Sequence, residues 1–131
     1  MDTITAARLA IEIFNHVADG EDGTASTSGA DLPGEGYFVG GVGDALVFDG
    51  FGEANASTAL RKVAEFLGAQ SAAYIGWWAD SASGKIYVDG TSWHADYDDA
   101  EQACRERGEI AFWDIANKRE FRPTVLTDKE V

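Results

Sequence analysis

The sequence predicts an α+β fold: a mainly antiparallel sheet built from two ββα units, helices packed on one face, and a further helix at the N-terminus. Three observations lead there. An apolar stripe at helical spacing opens the chain. Two strand–turn–strand patterns then follow, each ending in Asp-Gly, and each of these is succeeded by a helical segment closed by glycine. A length of 131 residues suits one domain, here 1–131, and a 45% hydrophobic content is enough to bury a core without staples.

Residues 3–18 place Ala6, Leu9, Ala10, Ile13, Phe14 and Val17 on one stripe, with Arg8, Glu12 and Asn15 off it. Asp2 or Thr3 can cap the start, and Asp19-Gly20 supplies the stop. Residues 20–36 carry Gly, Ser, Thr, Asp and Pro33 with almost no large apolar side chain, so 19–36 is expected to be a mobile acidic surface loop. The first hairpin is expected from residues 36–41 through Val42-Gly43-Asp44 into 45–50, and the second from 73–78 through 80–84 into 85–90. The helix after the first, 57–67, presents Leu60, Val63, Ala64 and Leu67 on one face before Gly68. The helix after the second, 96–107, presents Tyr97, Ala100, Ala103 and Cys104 before Gly108. Its alanines require close approach to the sheet, and Asp96, Asp98 and Asp99 complement the positive end of its dipole. A last strand is expected at 110–115, a short hairpin through Asn117-Lys118 to residues 119–121, and a frayed tail over 123–131.

Charge is the strongest functional signal. The formal net charge is −13, and residues 19–59 carry eight carboxylates without a lysine or arginine. Such a field repels nucleic acid and anionic membranes and favours basic protein surfaces or cations. Basic patches interleaved with aromatics, the mark of nucleic-acid binders, are absent from the sequence. The N-terminus has no basic region followed by an apolar run, and no segment approaches the roughly 20 apolar residues of a membrane span, so a cytoplasmic protein is expected. The sequon Asn55-Ala56-Ser57 then has no glycosylating context.

Catalytic motifs are sparse. Cys104, the one cysteine, allows no internal disulfide and falls on the apolar face of a helix near its C-terminal end, where a thiolate is disfavoured. Gly34-Glu35-Gly36 and Gly40-Gly41-Val42-Gly43 flank and interrupt strands instead of joining a strand to a helix, so they read as turns and bulges, not phosphate loops. No metal loop fits: the stretch from Asp19 has its glycine one place early and Ala30 where calcium coordination needs glutamate. No cofactor is implied. His16 lies off the first helix's stripe, which leaves His94, with Asp89, Asp96 and Asp114 as neighbours, for general-base or metal chemistry.

The aromatics say more. Trp77 and Trp78 are adjacent, so on a strand they point to opposite faces, one into the core and one needing a second cover. Trp93 and Trp113 can join the same cluster with Tyr37, Tyr74 and Tyr87. The strand cores at residues 37–41, 74–78, 84–89 and 111–115 resemble small proteins encoded by actinobacterial phages and mobile elements, over about residues 36–122. That resemblance implies an accessory or host-interaction role and assigns no catalytic residue or ligand. The expected function is therefore a small acidic binding domain that docks on a basic protein surface. Asp44, Asp49 and Glu53 would contribute to steering, and Trp77, Trp78 and Trp93 to contact; mimicry of DNA is its sharper form. The alternatives are a small metal-dependent enzyme or ligand binder centred on His94, Asp89, Asp96 and Asp114, and a homodimer paired through the tryptophan face.

Overall fold

A computed structural model describes residues 1–49, 56–80 and 82–123. The first stripe forms helix α1, Thr3–Ala18, capped by Asp2, whose carboxylate accepts from the backbone N–H of Thr5 at 2.7 Å. Strands β1, Gly23–Ser26, and β2, Tyr37–Asp49, lead to helix α2, Ala56–Gly68. Strands β3, Tyr74–Ala79, and β4, Lys85–His94, lead to helix α3, Tyr97–Glu106. Strands β5, Phe112–Asp114, and β6, Arg119–Phe121, close the chain as a hairpin. All six strands join one antiparallel sheet in the order β1-β3-β4-β2-β5-β6, so the α+β class holds.

Two local expectations are corrected. The loop expected at 19–36 contains β1, which pairs with β3 and takes the edge of the sheet. Gly23, at the start of β1, lies under Trp77: a Cβ there would stand 2.5 Å from the indole ring. Thr27 fastens the strand's end, its hydroxyl reaching the carbonyls of Ala72 and Ala73.

The turn expected at residues 42–44 is not a reversal. β2 runs on as one 13-residue strand against β4, with register shifts between Val39 and Val42 and again between Val42 and Leu46. Gly41 and Gly43 adopt φ of +81° and +74°, which side-chain-bearing residues rarely tolerate. Here the glycines let the strand bulge and bend instead of turning back.

Strand alternation sorts the side chains cleanly, because the irregularities all fall on β2 and β4 stays regular. Ile75, Trp77, Ile86 and Val88 face α1 and α2, where Leu9, Ile13, Val63 and Leu67 complete the larger core cluster. Val39 and Phe112 face α3, packing on Ala100, Ala103 and Cys104. Both clusters lie on the same side of the sheet. The small residues of α3 let its backbone lie close to β2, as their spacing predicts. Among the described residues, no helix is long and apolar enough to cross a membrane.

Candidate binding face

The side of the sheet away from the helices is lined by alternate residues of four strands. These are Tyr74, Gly76 and Trp78 of β3; Tyr87, Asp89, Thr91 and Trp93 of β4; Phe38, Gly40 and Val47 of β2; and Trp113 of β5. No helix among the described residues covers them. Trp78, Trp93 and Trp113 are 43%, 38% and 42% exposed, whereas Trp77, on the helix side, is 4% exposed. Trp77, expected with Trp78 to contact a partner, is thus a core residue, as the opposite-face rule requires of one of the pair.

The aromatics form two ridges. In the first, the Trp78 and Tyr87 rings stack at 4.5 Å and 8° beside exposed Val47. In the second, Phe38 pairs across the strands with both Trp93 and Trp113 and lies 5.1 Å from Tyr74. Between the ridges is a dip centred on Asp89. Gly76 is its direct neighbour on β3, and a Cβ on Gly40 of β2 would strike its Oδ2 at 2.5 Å. Two glycines therefore leave the aspartate the space that side chains would fill.

Asp89 is not alone in the dip. Its Oδ2 accepts from the backbone N–H of Gly41 at 3.0 Å, a donor that the first bulge turns toward it. Glu109, on the link between α3 and β5, reaches over the bulge: its Oε1 would lie 3.0 Å from the same Gly40 Cβ position. The two carboxyl groups are thus near neighbours. Burial pushes Asp89 up to about 6, with the Gly41 bond and Arg107 opposing and the Glu109 charge adding to the rise. Burial also raises Glu109, with Arg107 opposing.

Arg107 joins the helix layer to the sheet. Its Nη1 donates to the carbonyls of Val39 and Gly40, both at 3.1 Å, just past the point where β5 stops pairing with β2. It also donates to Ser92 Oγ at 2.9 Å, and Ser92 Oγ lies 2.7 Å from His94 Nε2. Ser92 Oγ also reaches the carbonyl of Val39 at 3.5 Å, and burial and Arg107 hold the pKa of His94 below its ordinary value. The Ser92–His94–Arg107 contacts fasten α3 to the sheet.

The four residues grouped for chemistry are not brought to one place. Asp89 and His94 occupy odd and even positions of a regular strand and point to opposite faces. Asp96 stands at the N-cap of α3 without a capping bond from its side chain. Asp114 is buried, and its carboxylate is taken by the backbone and side-chain N–H groups of Asn117, which hold the β5–β6 turn and its own pKa low. Among the described residues, no group of three or more His, Cys, Asp or Glu could hold a metal ion. Cys104 is buried, its thiol raised by burial and the Glu109 charge. Of the carboxylates expected to steer a partner, Asp44 is exposed, Asp49 pairs with Lys85 at 3.2 Å, and Glu53 lies outside the described residues.

Neither Glu109 nor Arg107 carries a motif; Arg107 reads in sequence only as a basic residue near the end of α3, and the bulge through which both act resembles a turn. No family model matches the chain, and comparisons with curated proteins and with solved structures likewise find no match.

Proposed function

We propose that the chain is a binding domain whose helix-free aromatic face docks on a basic surface of a partner protein. The observation that carries this reading is the gathering of Trp78, Trp93 and Trp113, all exposed, on one face that no helix among the described residues covers, in a chain with net charge −13. Exposed aromatics contribute large contact area at low entropic cost, and tryptophan dominates the energetics of many interfaces. The acidic field raises the encounter rate with a cationic partner. Arginine and lysine side chains can also stack on indole rings, joining the two contributions in one contact. The reading extends the accessory role that the sequence resemblance implies.

Titration calorimetry with an arginine- and lysine-rich peptide, at low and high salt, tests it. Trp78→Ala and Trp113→Ala are each expected to weaken binding about tenfold or more without changing net charge. Wild-type affinity is expected to fall as salt rises. Equal affinity for wild type and both variants would reduce the interaction to charge alone and overturn the role of the face.

A further inference from the structure

A cavity of about 330 Å³ opens at the end of the sheet beside the second aromatic ridge, lined by Glu35, Gly36, Tyr37, Trp93, Asp114 and Asn117 among others. One wall is built with care. The Trp93 indole lies over Gly36 and donates from Nε1 to the carbonyl of Glu35 at 2.8 Å. Gly36 has φ of +93°, and a Cβ there would come within 2.5 Å of Nε1. A glycine at this position is therefore what allows the ring to lie against the chain and be held there by its Nε1 bond.

The remaining lining carries two carboxylates, Glu35 and Asp114, and no cationic side chain. Asn117 gives one of its two Nδ2 hydrogens to Asp114 Oδ2 at 2.8 Å, and its backbone N–H also goes to Asp114, while its amide oxygen is left to accept. Asp114 is satisfied by these bonds and by Arg119 at 3.9 Å, so it acts as a fixed floor. Glu35 makes no ion pair among the described residues, and no lysine, arginine or histidine lines the cavity. Such a site asks for a flat cation with several donors. A guanidinium meets each demand: it stacks on an indole, pairs with a carboxylate through parallel N–H bonds, and keeps its charge at any working pH.

From these observations we infer that the cavity receives the guanidinium of an arginine carried by the partner protein, stacked on Trp93 and paired with Glu35. The inference rests on the docking of a basic partner at the aromatic face and names the side chain that anchors it. Nuclear magnetic resonance titration with blocked arginine, N-acetyl-arginine methylamide, is the first test. Blocked citrulline, the neutral isostere, is its control. Arginine should shift the Trp93 indole N–H and the Asn117 side-chain amide saturably, and citrulline should not. Glu35→Gln should weaken the arginine response at least fivefold while leaving the spectrum otherwise native, and Trp93→Ala should abolish it.

A lysine-rich peptide containing one arginine should bind at least tenfold more tightly than blocked arginine and lose that advantage on arginine-to-citrulline exchange. An equal response to citrulline, or no saturable response to arginine, would overturn the inference. So would blocked arginine binding as tightly as the peptide, since a free small molecule would then be the ligand. Peptide-induced shifts at Trp78 and Trp113 without any at Trp93 and Asn117 would sink the cavity's role and leave the docking face standing.

Discussion

Asp89 holds one of the least comfortable positions in the molecule: a carboxyl group with glycine on both flanks, one backbone N–H for a partner, and a second carboxyl close by. Folding raises its pKa from the ordinary 3.8 to about 6. A group raised in this way contributes stability that is complete below its unfolded value and is lost as the pH climbs through its folded one. The protein should therefore become more stable as the pH falls from about 6.5 toward 4, by no more than about 3 kcal/mol from this residue, the partial exposure of the site reducing that figure. Glu109 shifts in the same direction. Asp114 shifts in the opposite one, so its contribution fades only as the pH drops further into the acid range. Asp89→Asn keeps an acceptor for Gly41 and removes the charge. Urea unfolding of this variant is expected to show about 1–2 kcal/mol more stability at pH 7.5 and a much flatter profile between pH 4 and 6.5. A profile as steep as the wild type's would show that the slope arises elsewhere.

At the scale of elements, β2 is the most instructive. The alternation of its residues was legible as strand on both sides of Val42-Gly43-Asp44, and the intervening glycines resemble a hairpin turn. Glycine at positive φ serves a bulge as well as a reversal, and local sequence does not distinguish them; the pairing partner does. Here β4 is long enough to run along the whole of β2. The helices, by contrast, were legible nearly to the residue, since their apolar stripes, Asp2 and the closing glycines act locally. β1 was invisible because an edge strand half-covered on both faces needs no bulky side chain. Of the candidate site, the split between Trp77 and Trp78 followed from alternation alone, while the Asp89–Glu109 pair depends on a bulge and a link distant in sequence. Gly43 offers a direct check of the bulge. A Cβ there would meet nothing within 4 Å, so Gly43→Ala should cost only backbone strain, about 1–2 kcal/mol by chemical denaturation. Gly43→Asn should recover part of the loss, since asparagine tolerates this conformation. An alanine variant as stable as wild type would mean that the bulge relaxes to an ordinary strand.

For the molecule as a whole, two properties pull against each other. A sheet face with three exposed tryptophans and no covering helix among the described residues invites self-association, and a net charge of −13 on a chain of this size opposes it. At low ionic strength the repulsion should prevail, and light scattering should find a monomer at high protein concentration. Added salt screens the repulsion within a distance of about 10 Å at 0.1 M and should allow dimers to appear. A dimer already present at low salt would show that the face meets a second copy of the chain in preference to a basic partner.

The segregation of the four indoles also gives the molecule two colours of light. Trp77 is sealed in the core, and its Nε1 hydrogen finds no acceptor among the described residues, so its emission should lie toward the blue and be shielded from aqueous quenchers. Trp78, Trp93 and Trp113 should emit further to the red and be open to iodide. Unfolding would then shift the first population and occupancy of the face the second, so that loss of structure and capture of a ligand can be followed separately in one unlabelled sample.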